Sequence, residues 1–402
     1  MAVPKIRIKG YTDEWNNSTV GNIANVVGGG TPSTYDNKFW GGSIQWFTPS
    51  EIGKNKYVQN SERTITQVGL EQSSAKLIPA NSILLSSRAT IGEMSINLCE
   101  CATNQGFQSL IPNGVDLDFL YALMKTKQNT LIRESSGSTF LEISANKVRS
   151  IEISIPDSLE QDAIGSYFQS LDSLIEATGK KIATLKQTKQ ASLQSMFPQE
   201  GETKPRVRFK GFERDWFSTT IGDCGTWSKG RFLSKEDINP NGQNKCIHYG
   251  ELFTVYGEVI DKIQSKTNLK QGSLSQIGDI LFPDSDVTPT GLARCSAVMV
   301  ENVILGGGIN ILTPNKYIFS PFLSYAINIE KEQIISRVTG TTVRHINSKA
   351  LSEVVVKLPQ EIQEQKQIAE YFSNLDKQIS LQEQRLEKLK QIKSACLKNM
   401  FV

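Results

Sequence analysis

Long apolar segments are missing from this sequence. It has no run of about 18 apolar residues, the length at which a membrane-spanning helix becomes a candidate. Its start, MAVPKIRIKG, also lacks the apolar stretch of a secretory signal. These absences together predict a cytoplasmic protein without a membrane partner.

Metal-binding side chains are scarce as well. The 402 residues include only 2 histidines, and the 6 cysteines form no Cys-x-x-Cys pair. Structural zinc sites are built from closely spaced cysteines and histidines. The sequence therefore predicts no metal site, and it favours reduced, buried thiols over disulfides.

Motifs of common enzymes are also missing. The sequence has no Gly-rich loop ending in Gly-Lys-Ser/Thr, no dinucleotide fingerprint and no Asn/Asp-Pro-Pro-Tyr/Phe segment of amino-methyltransferases. The Gly-rich runs Gly28–Gly30 and Gly306–Gly308 lack the spacing of a phosphate cradle, which favours tight turns or strand bulges there. No spacing indicates a nucleophile with its base. We therefore expect no catalytic residue and no cofactor bound by this chain.

The net charge is small. The formal charge is +3 at pH 7, which gives little support for a nucleic-acid partner. The excess of basic residues lies mainly in residues 204–360, where 19 Lys and Arg stand against 15 Asp and Glu. A basic surface can form locally on a nearly neutral chain, but these counts do not show one.

What the sequence does contain is an internal duplication. Residues Pro4–Trp15 read PKIRIKGYTDEW, and residues Pro205–Trp216 read PRVRFKGFERDW. The pair Met196-Phe197 recurs as Met400-Phe401. Between these matching frames the two halves differ strongly. With 38% hydrophobic residues, the chain is long enough for about two or three domains with their own cores.

Each half is predicted to hold a variable module followed by one long helix. The short mixed segments of the modules indicate an α+β fold, with strands at 82–85, 151–155, 279–282 and 354–358 and helices at 118–126 and 320–328. The predicted organisation is a first module at 1–158, a first long helix at 159–197, a linker at 198–203, a second module at 204–360 and a second long helix at 361–402.

The two long helices carry an apolar seam with spacings of four and three over about four heptads, which is typical of a coiled coil. We predict that they pair as antiparallel helices and join the modules with approximate twofold symmetry. The seam residues are Ile164, Phe168, Leu171, Ile175, Ile182, Leu185, Ile368, Phe372, Leu375, Ile379, Leu386 and Leu389.

Two aspects of the seam stay open at this stage. Each helix could instead pack only on its own module as a long amphipathic element. Lys189 and Lys393 interrupt the seam at equivalent positions. They could specify the register of pairing, or their ammonium groups could reach solvent near a helix end.

Several segments of the first module, in their order, resemble a known family. Gly28–Ser33, Trp46–Pro49, Ser86–Gly92 and Asn104–Phe107 are similar to segments of the target recognition domain in specificity subunits of type I restriction-modification enzymes. The duplicated plan of variable module and long helix extends this resemblance over the whole chain. The second module departs from it, because Lys229-Gly230-Arg231 replaces the GGTPS opening and Asp284-Ser285-Asp286 stands near the place of Ser87-Arg88.

The resemblance implies a DNA sequence-recognition subunit without catalysis of its own. Each module would read one half of an asymmetric, bipartite duplex target through the major groove. Two separate modification subunits would carry S-adenosylmethionine and methylate adenine N6 after extracting the base from the stack. Where the complex also restricts, two restriction/translocase subunits would bring ATP and Mg.

Candidate DNA contacts follow from side-chain chemistry. An arginine such as Arg88 can grip guanine with two hydrogen bonds, although it could equally pair with a surface carboxylate. Lysines and other arginines suit phosphates, whereas hydroxyl and amide side chains could contact DNA or only cap and shape turns. The candidates are Ser86, Ser87, Arg88, Thr90, Asn104, Gln105, Ser138, Thr139, Lys229, Arg231, Arg294, Thr341, Thr342 and Arg344.

Two alternatives from other classes remain. The chain could be a non-catalytic coiled-coil scaffold or adaptor that binds protein partners through its modules. It could also be an enzyme with two diverged active sites.

Overall fold

The computed structural model describes residues 3–137 and 141–402. The chain divides into two compact units, unit 1 with Met1–Lys180 and Gln384–Val402, and unit 2 with Lys181–Glu383. Each unit combines strands and helices, so the predicted α+β class is confirmed.

Unit 1 is built on a five-stranded sheet. Apolar residues of its middle strands, among them Ile83, Leu110 and Met94, are fully buried in the main core of the unit. All neighbouring strands are antiparallel except the last pair, which is parallel. In spatial order the strands are Ala24–Gly28, Gln108–Pro112, Ile83–Leu85, Met94–Asn97 and Tyr57–Val58.

Smaller elements surround this sheet. A three-stranded sheet has the order Arg63–Ile65, Trp40–Phe47 and Cys101–Thr103, and Asn16–Thr19 pairs with Glu152–Ile155. The shorter helices, including two 3-10 turns, are Val20–Ile23, Asn37–Phe39, Pro49–Glu51, Gln67–Glu71, Leu117–Thr126, Gln128–Arg133 and Ala145–Arg149.

Unit 2 repeats the five-stranded sheet with the same spatial order and the same strand directions. This shared topology shows that the duplication seen at the ends of the halves extends through the divergent modules. In spatial order the strands are Gly225–Lys229, Ile309–Pro314, Asp279–Pro283, Ser296–Val298 and Val259–Ile260.

The remaining elements of unit 2 also follow unit 1, with additions. A four-stranded sheet has the order Ser265–Thr267, Asn244–Ile247, Ile304–Leu305 and Ser273–Leu274, and the two-stranded pairs are Phe217–Thr220 with Val355–Leu358 and Ser285–Asp286 with Arg344–His345. The shorter helices and 3-10 turns are Ile221–Cys224, Lys235–Asp237, Glu251–Thr254, Pro289–Leu292, Ser320–Ile329, Lys331–Ile335 and Ser348–Ser352.

Local sequence explains the predicted elements that the structure contains. The helix Leu117–Thr126 begins after Asp116, whose carboxylate accepts a hydrogen bond from the backbone N–H of Phe119 at 2.7 Å and so caps the first turn. In Ser320–Ile329 a proline, Pro321, stands in the first turn, where no backbone donor is needed. Both helices were predicted to within one residue at each end.

The two long helices are Ser158–Met196 and Ile362–Asn399, with 39 and 38 residues. We call them the first and the second long helix. In unit 1 the start of the first helix, at Ile164 and Phe168, shares one hydrophobic cluster with Cys396 near the end of the second. In unit 2 Phe372, near the start of the second helix, shares a cluster with Met196 at the end of the first. The helix segments within each unit therefore run antiparallel.

The seam positions are covered throughout. Eight of them are buried, namely Ile164, Phe168, Leu171, Ile182, Ile368, Phe372, Leu375 and Ile379. The remaining four are half-buried, namely Ile175, Leu185, Leu386 and Leu389.

The seam lysine of unit 2 forms an ion-pair cluster. The Lys189 ammonium lies 2.7 Å from the Asp376 carboxylate of the second long helix and 3.0 Å from Glu258 of the module. Burial alone would lower the pKa of Lys189, but these two carboxylates outweigh it and raise that pKa. The ammonium therefore pairs across the helices, which supports a role in register.

Unit 1 keeps the same pair between helices but reverses the charge that the module contributes. Lys393 binds Asp172 of the first long helix, and the ammonium of Lys56 from the module lies 2.9 Å from the same carboxylate. Lys56 and Glu258 occupy equivalent positions, each directly before the last strand of its five-stranded sheet. The Lys56 carbonyl accepts a hydrogen bond from Ile96, which pairs with Tyr57, and the Glu258 carbonyl accepts one from Ala297, which pairs with Val259. Each module is thus tied electrostatically to its helix pair.

The repeated N-terminal segment of each half clamps both long helices. In unit 1, Arg7 donates two hydrogen bonds of 2.7 Å to the fully buried Glu160 in the first turn of the first helix. The neighbouring Ile6 N–H donates to the Asn399 carbonyl at the end of the second helix. The bond to Glu160 raises the pKa of Arg7. We call this arrangement the arm clamp.

Unit 2 repeats the arm clamp with the helices exchanged. Arg208 donates to Glu364 of the second helix at 2.7 and 2.8 Å, and Val207 donates to the Ser195 carbonyl of the first helix. Trp216 adds a bond to the Glu364 carboxylate at 3.2 Å. The sequence repeat PxxRxKG therefore encodes the same pair of contacts twice.

Among the helices in the described part of the chain, none is long and apolar enough to cross a membrane.

We predict that Arg208→Ala destabilises the protein by about 3 to 5 kcal/mol, because it leaves the Glu364 carboxylate buried without a counter-charge. The matched control is Arg206→Ala on the same segment, whose pair with Glu202 is exposed to solvent and is therefore expected to add little stability. Urea and thermal unfolding measure both variants. Equal losses for the two would contradict the importance of the arm clamp.

Candidate nucleic-acid interface

Eight of the fourteen candidate residues lie at one edge of a five-stranded sheet, namely Ser86, Ser87, Arg88, Thr90, Asn104 and Gln105 in unit 1 and Lys229 and Arg231 in unit 2. In unit 1 the strands Ala24–Gly28 and Ile83–Leu85 both run antiparallel to Gln108–Pro112, so they end at the same edge, where the latter begins. We call residues 28–36, 86–93 and 104–107 the loop edge of unit 1. The loop edge of unit 2, built by the same topology, comprises residues 229–234, 284–291 and 306–308.

Backbone hydrogen bonds hold the centre of the unit 1 loop edge. The Ser87 N–H donates to the Gly106 carbonyl at 2.8 Å, and the Ser87 carbonyl accepts from Ile143 at 3.0 Å. Ser86 forms an antiparallel bridge with Phe107. Both serine side chains are fully buried, so in this conformation they shape the loop and are not presented to a ligand.

Arg88 follows as the exposed side chain of this loop. Its side chain is 45% exposed, and the guanidinium lies 3.5 Å from the carboxylate of Glu142, whose side chain is 40% exposed. Such an exposed pair contributes about 0 to 1 kcal/mol, so a competing anion or acceptor can replace it. The exposed Thr90 donates from its backbone N–H to the Arg88 carbonyl at 2.8 Å and from its hydroxyl to Ser86. These contacts fix the backbone at Arg88.

The adjoining segment contributes one shaping amide and one exposed amide. The Asn104 side chain accepts from the Gly106 N–H at 2.9 Å and forms the turn. The exposed Gln105 accepts from the Thr31 hydroxyl at 2.5 Å. Ser138 and Thr139, which the sequence also nominates, lie outside the described residues.

Unit 2 reproduces the backbone of this site with different side chains. The Asp284 N–H donates to the Gly308 carbonyl at 2.9 Å, and its carbonyl accepts from Ile346 at 3.0 Å. These are the two bonds of Ser87, so Asp284 occupies the position of Ser87, which agrees with the prediction that Asp284-Ser285-Asp286 stands near the place of Ser87-Arg88. The next residues, Ser285–Asp286, pair with Arg344–His345.

The first segment of each loop edge also makes an equivalent backbone hydrogen bond. The Gly30 N–H donates to the Thr103 carbonyl at 2.8 Å, and the Arg231 N–H donates to the Leu305 carbonyl at 3.0 Å. The residue before each of these donors, Gly29 in unit 1 and Gly230 in unit 2, has to be a glycine, because a Cβ there would lie about 2 Å from a backbone oxygen. No helix begins directly after Gly28–Gly30, where the next helical turn is Asn37–Phe39, and Gly306–Gly308 leads into the strand Ile309–Pro314.

Unit 2 therefore adds two cations where unit 1 has glycine. The Lys229 ammonium is 3.8 Å from Asp284 and its side chain is 54% exposed. Arg231 is exposed and makes no ion pair within residues 3–137 and 141–402. The same edge also carries the carboxylates of Asp284 and Asp286, so the two cations leave its formal charge balanced.

The remaining candidates of unit 2 differ in exposure. Thr341 and Thr342 are exposed, while Arg344 is half-buried and donates to the Gly340 carbonyl. Arg294 donates to the Tyr256 carbonyl at 2.6 Å, and burial lowers the pKa of its guanidinium. Arg294 thus holds two segments of the module together.

Sequence reasoning missed two exposed aromatic side chains at the loop edges. Tyr35 of unit 1 is 98% exposed, and Phe232 of unit 2 is 72% exposed. The available signal was the pair Phe232-Leu233, two consecutive large apolar residues in a polar segment. Since Leu233 is buried at 2% exposure, its neighbour is left at the surface.

No group of three or more His, Cys, Asp or Glu side chains in the described ranges is arranged to hold a metal ion. The six cysteines are free thiols, and five of them are buried.

We predict that Gly230→Ala destabilises unit 2 by about 1 to 3 kcal/mol, because its Cβ would lie 2.0 Å from the Gly306 carbonyl oxygen and the backbone would have to move. Gly307→Ala is the control, since its Cβ meets nothing within 4 Å. Thermal unfolding gives the comparison. A stable Gly230→Ala protein with an unchanged unfolding midpoint would refute the close approach.

Comparison with known proteins bears on this geometry. The chain is 38% identical over 173 residues to the type I restriction enzyme MjaIX specificity subunit of Methanocaldococcus jannaschii, covering 42% of this chain and 40% of that protein. It is 31% identical over 169 residues to the EcoR124I/EcoR124II specificity subunit of Escherichia coli, covering 40% and 41%. The chain thus spans about two fifths of the length of these curated relatives.

A solved structure is similar along the whole chain. The S subunit of a type I restriction-modification system from M. genitalium matches with a TM-score of 0.66 at 16% identity, covering 100% of this chain and 99% of that one. At this identity the likeness shows the fold alone. The family model of the type I restriction modification DNA specificity domain matches residues 12–187 and 213–391, one match in each half. The chain therefore belongs to the family of type I restriction modification DNA specificity domains.

Proposed function

We propose that this protein is the DNA sequence-recognition subunit of a type I restriction-modification system, in which each loop edge reads one half of an asymmetric, bipartite duplex. One observation carries the proposal. Two units with the same strand order and the same loop-edge hydrogen bonds present different side chains, with Gly28–Gly30 in one and Lys229-Gly230-Arg231 in the other.

The physical basis is base-edge chemistry. In the major groove each base pair displays its own pattern of donors and acceptors, so two chemically different edges select two different sequences. Arg88 in unit 1 suits the paired acceptors of guanine, and Lys229 in unit 2 suits a phosphate. Gln105 and Thr90, which are exposed beside Arg88, supply further polar contacts.

The proposed assembly places catalysis in other chains. Two modification subunits would bind this protein, carry S-adenosylmethionine and methylate adenine N6. Two restriction/translocase subunits with ATP and Mg would join in a complex that cleaves DNA. Family membership and the motif survey of the sequence support a non-catalytic role here. The paired long helices, with their arm clamps, would supply the docking surface for the partners.

The proposal predicts that replacing residues 17–158 with a recognition module of different specificity changes one half of the target and leaves the other half intact. The reason is that each loop edge is fixed by hydrogen bonds within its own unit. Methylome sequencing of a host that expresses the chimera with its modification subunits reads both halves directly.

Three results would contradict the proposal. Altered bases in both halves would show that the units do not read independently. Failure of the assembled wild-type complex to bind any duplex with sequence selectivity and salt dependence would favour a protein-binding scaffold. Methyl transfer by the purified chain alone, with labelled cofactor, would make it an enzyme.

A further inference from the structure

The loop edge of unit 2 contains a strained turn that the proposed function does not yet use. The Leu233 N–H donates to the Arg231 carbonyl at 2.9 Å, with Phe232 between them at φ +69°. A hydrogen bond from residue i+2 to residue i around a positive φ is the strained form of the γ-turn, which is rare. For a bulky aromatic residue this backbone conformation is a genuine outlier.

Both flanks of Phe232 are fixed, so the ring cannot turn inward. The Arg231 N–H is held by the Leu305 carbonyl, and Gly230 is locked against Gly306. On the other side Leu233 is buried in a cluster with Cys246 and Ile304. The turn therefore projects an aromatic ring, 72% exposed, beside an exposed guanidinium that has no ion pair within the described residues.

Unit 1 has a turn of the same form in a different segment of its loop edge. The Thr90 N–H donates to the Arg88 carbonyl at 2.8 Å, and Ala89 between them has φ +64°. In each unit an exposed arginine thus immediately precedes a strained γ-turn at the loop edge. Strain of this kind is retained where surrounding structure fixes it, and it clusters at ligand-contacting sites.

We propose that the Arg231–Phe232 turn is the base-reading tip of unit 2, an inference that rests on the proposed function. Arg231 donates two hydrogen bonds to a guanine, and the Phe232 ring covers the C5-methyl of a neighbouring thymine. The thymine methyl is the apolar group that base pairs expose in the major groove. A phosphate contact by Arg231 would instead leave the ring against charged backbone and water.

The test uses the complex assembled with its modification subunits, on the duplex target identified by methylome sequencing. Phe232→Gly removes the ring and lets a glycine adopt the positive φ, so its unfolding midpoint should be unchanged or higher. We expect its affinity for the target to fall about 10- to 100-fold. Asn302→Gly is the control, because it relieves a positive φ of +59° in an exposed turn of unit 2 outside the loop edge and should leave the affinity unchanged.

Modified bases locate the contacts. Replacing the thymine by uracil, which lacks the methyl, should weaken wild-type binding about 3- to 5-fold and leave Phe232→Gly unaffected. Replacing the guanine by 7-deazaguanine should weaken the wild type about 5- to 100-fold and have no effect on Arg231→Gln. Should Phe232→Gly misfold, Phe232→Asn replaces it, because Asn also tolerates a positive φ.

The inference is overturned if Phe232→Gly still distinguishes thymine from uracil, or if the half-site of unit 2 lacks an adjacent guanine and thymine. These results leave the proposed function intact. Its own failure would be distinct, since the wild-type complex would then show no sequence-selective binding at all.

Discussion

The buried carboxylates Glu160 and Glu364 are the constraint on which the rest of the architecture depends. Each sits in the first turn of a long helix, is excluded from water, and is neutralised by an arginine from the repeated N-terminal segment of its half. Desolvating a carboxylate is unfavourable unless its counter-charge is held in good geometry. The same segment also bonds to the end of the other long helix, so one arginine position fixes the start of one helix against the end of another.

With the scaffold fixed in this way, the loop edges are free to diverge. Their positions depend on backbone bonds, such as those of Ser87 and Asp284, which are insensitive to the side chain. Side chains that point into solvent from a fixed backbone can change without loss of stability. This explains how a single strand order supports an edge of glycines and hydroxyls in unit 1 and an edge with added cations in unit 2.

Much of the fold could be predicted from the sequence, because its signals are local. Apolar runs such as Ile83–Leu85 gave strands to within one residue, and the four-three spacing gave the long helices. The arm clamp could not be predicted, since Arg7 and Glu160 are 153 residues apart and their pairing is tertiary. Polarity was also a poor guide to exposure. Ser86 and Ser87 are buried by neighbouring strands, whereas Phe232 is exposed because Leu233 already fills the adjacent pocket.

The reversed charge at positions 56 and 258 has an evolutionary consequence. Lys56 meets the Asp172 carboxylate, whereas Glu258 meets the Lys189 ammonium. Both partners belong to the same Asp–Lys pair of the long helices, Asp172 with Lys393 in unit 1 and Asp376 with Lys189 in unit 2. A module transposed between the halves would therefore still meet an opposite charge, because Lys56 would face Asp376 and Glu258 would face Lys393. Since the helix pair offers both signs, a shuffled gene that crosses between the halves needs no compensating change at this site.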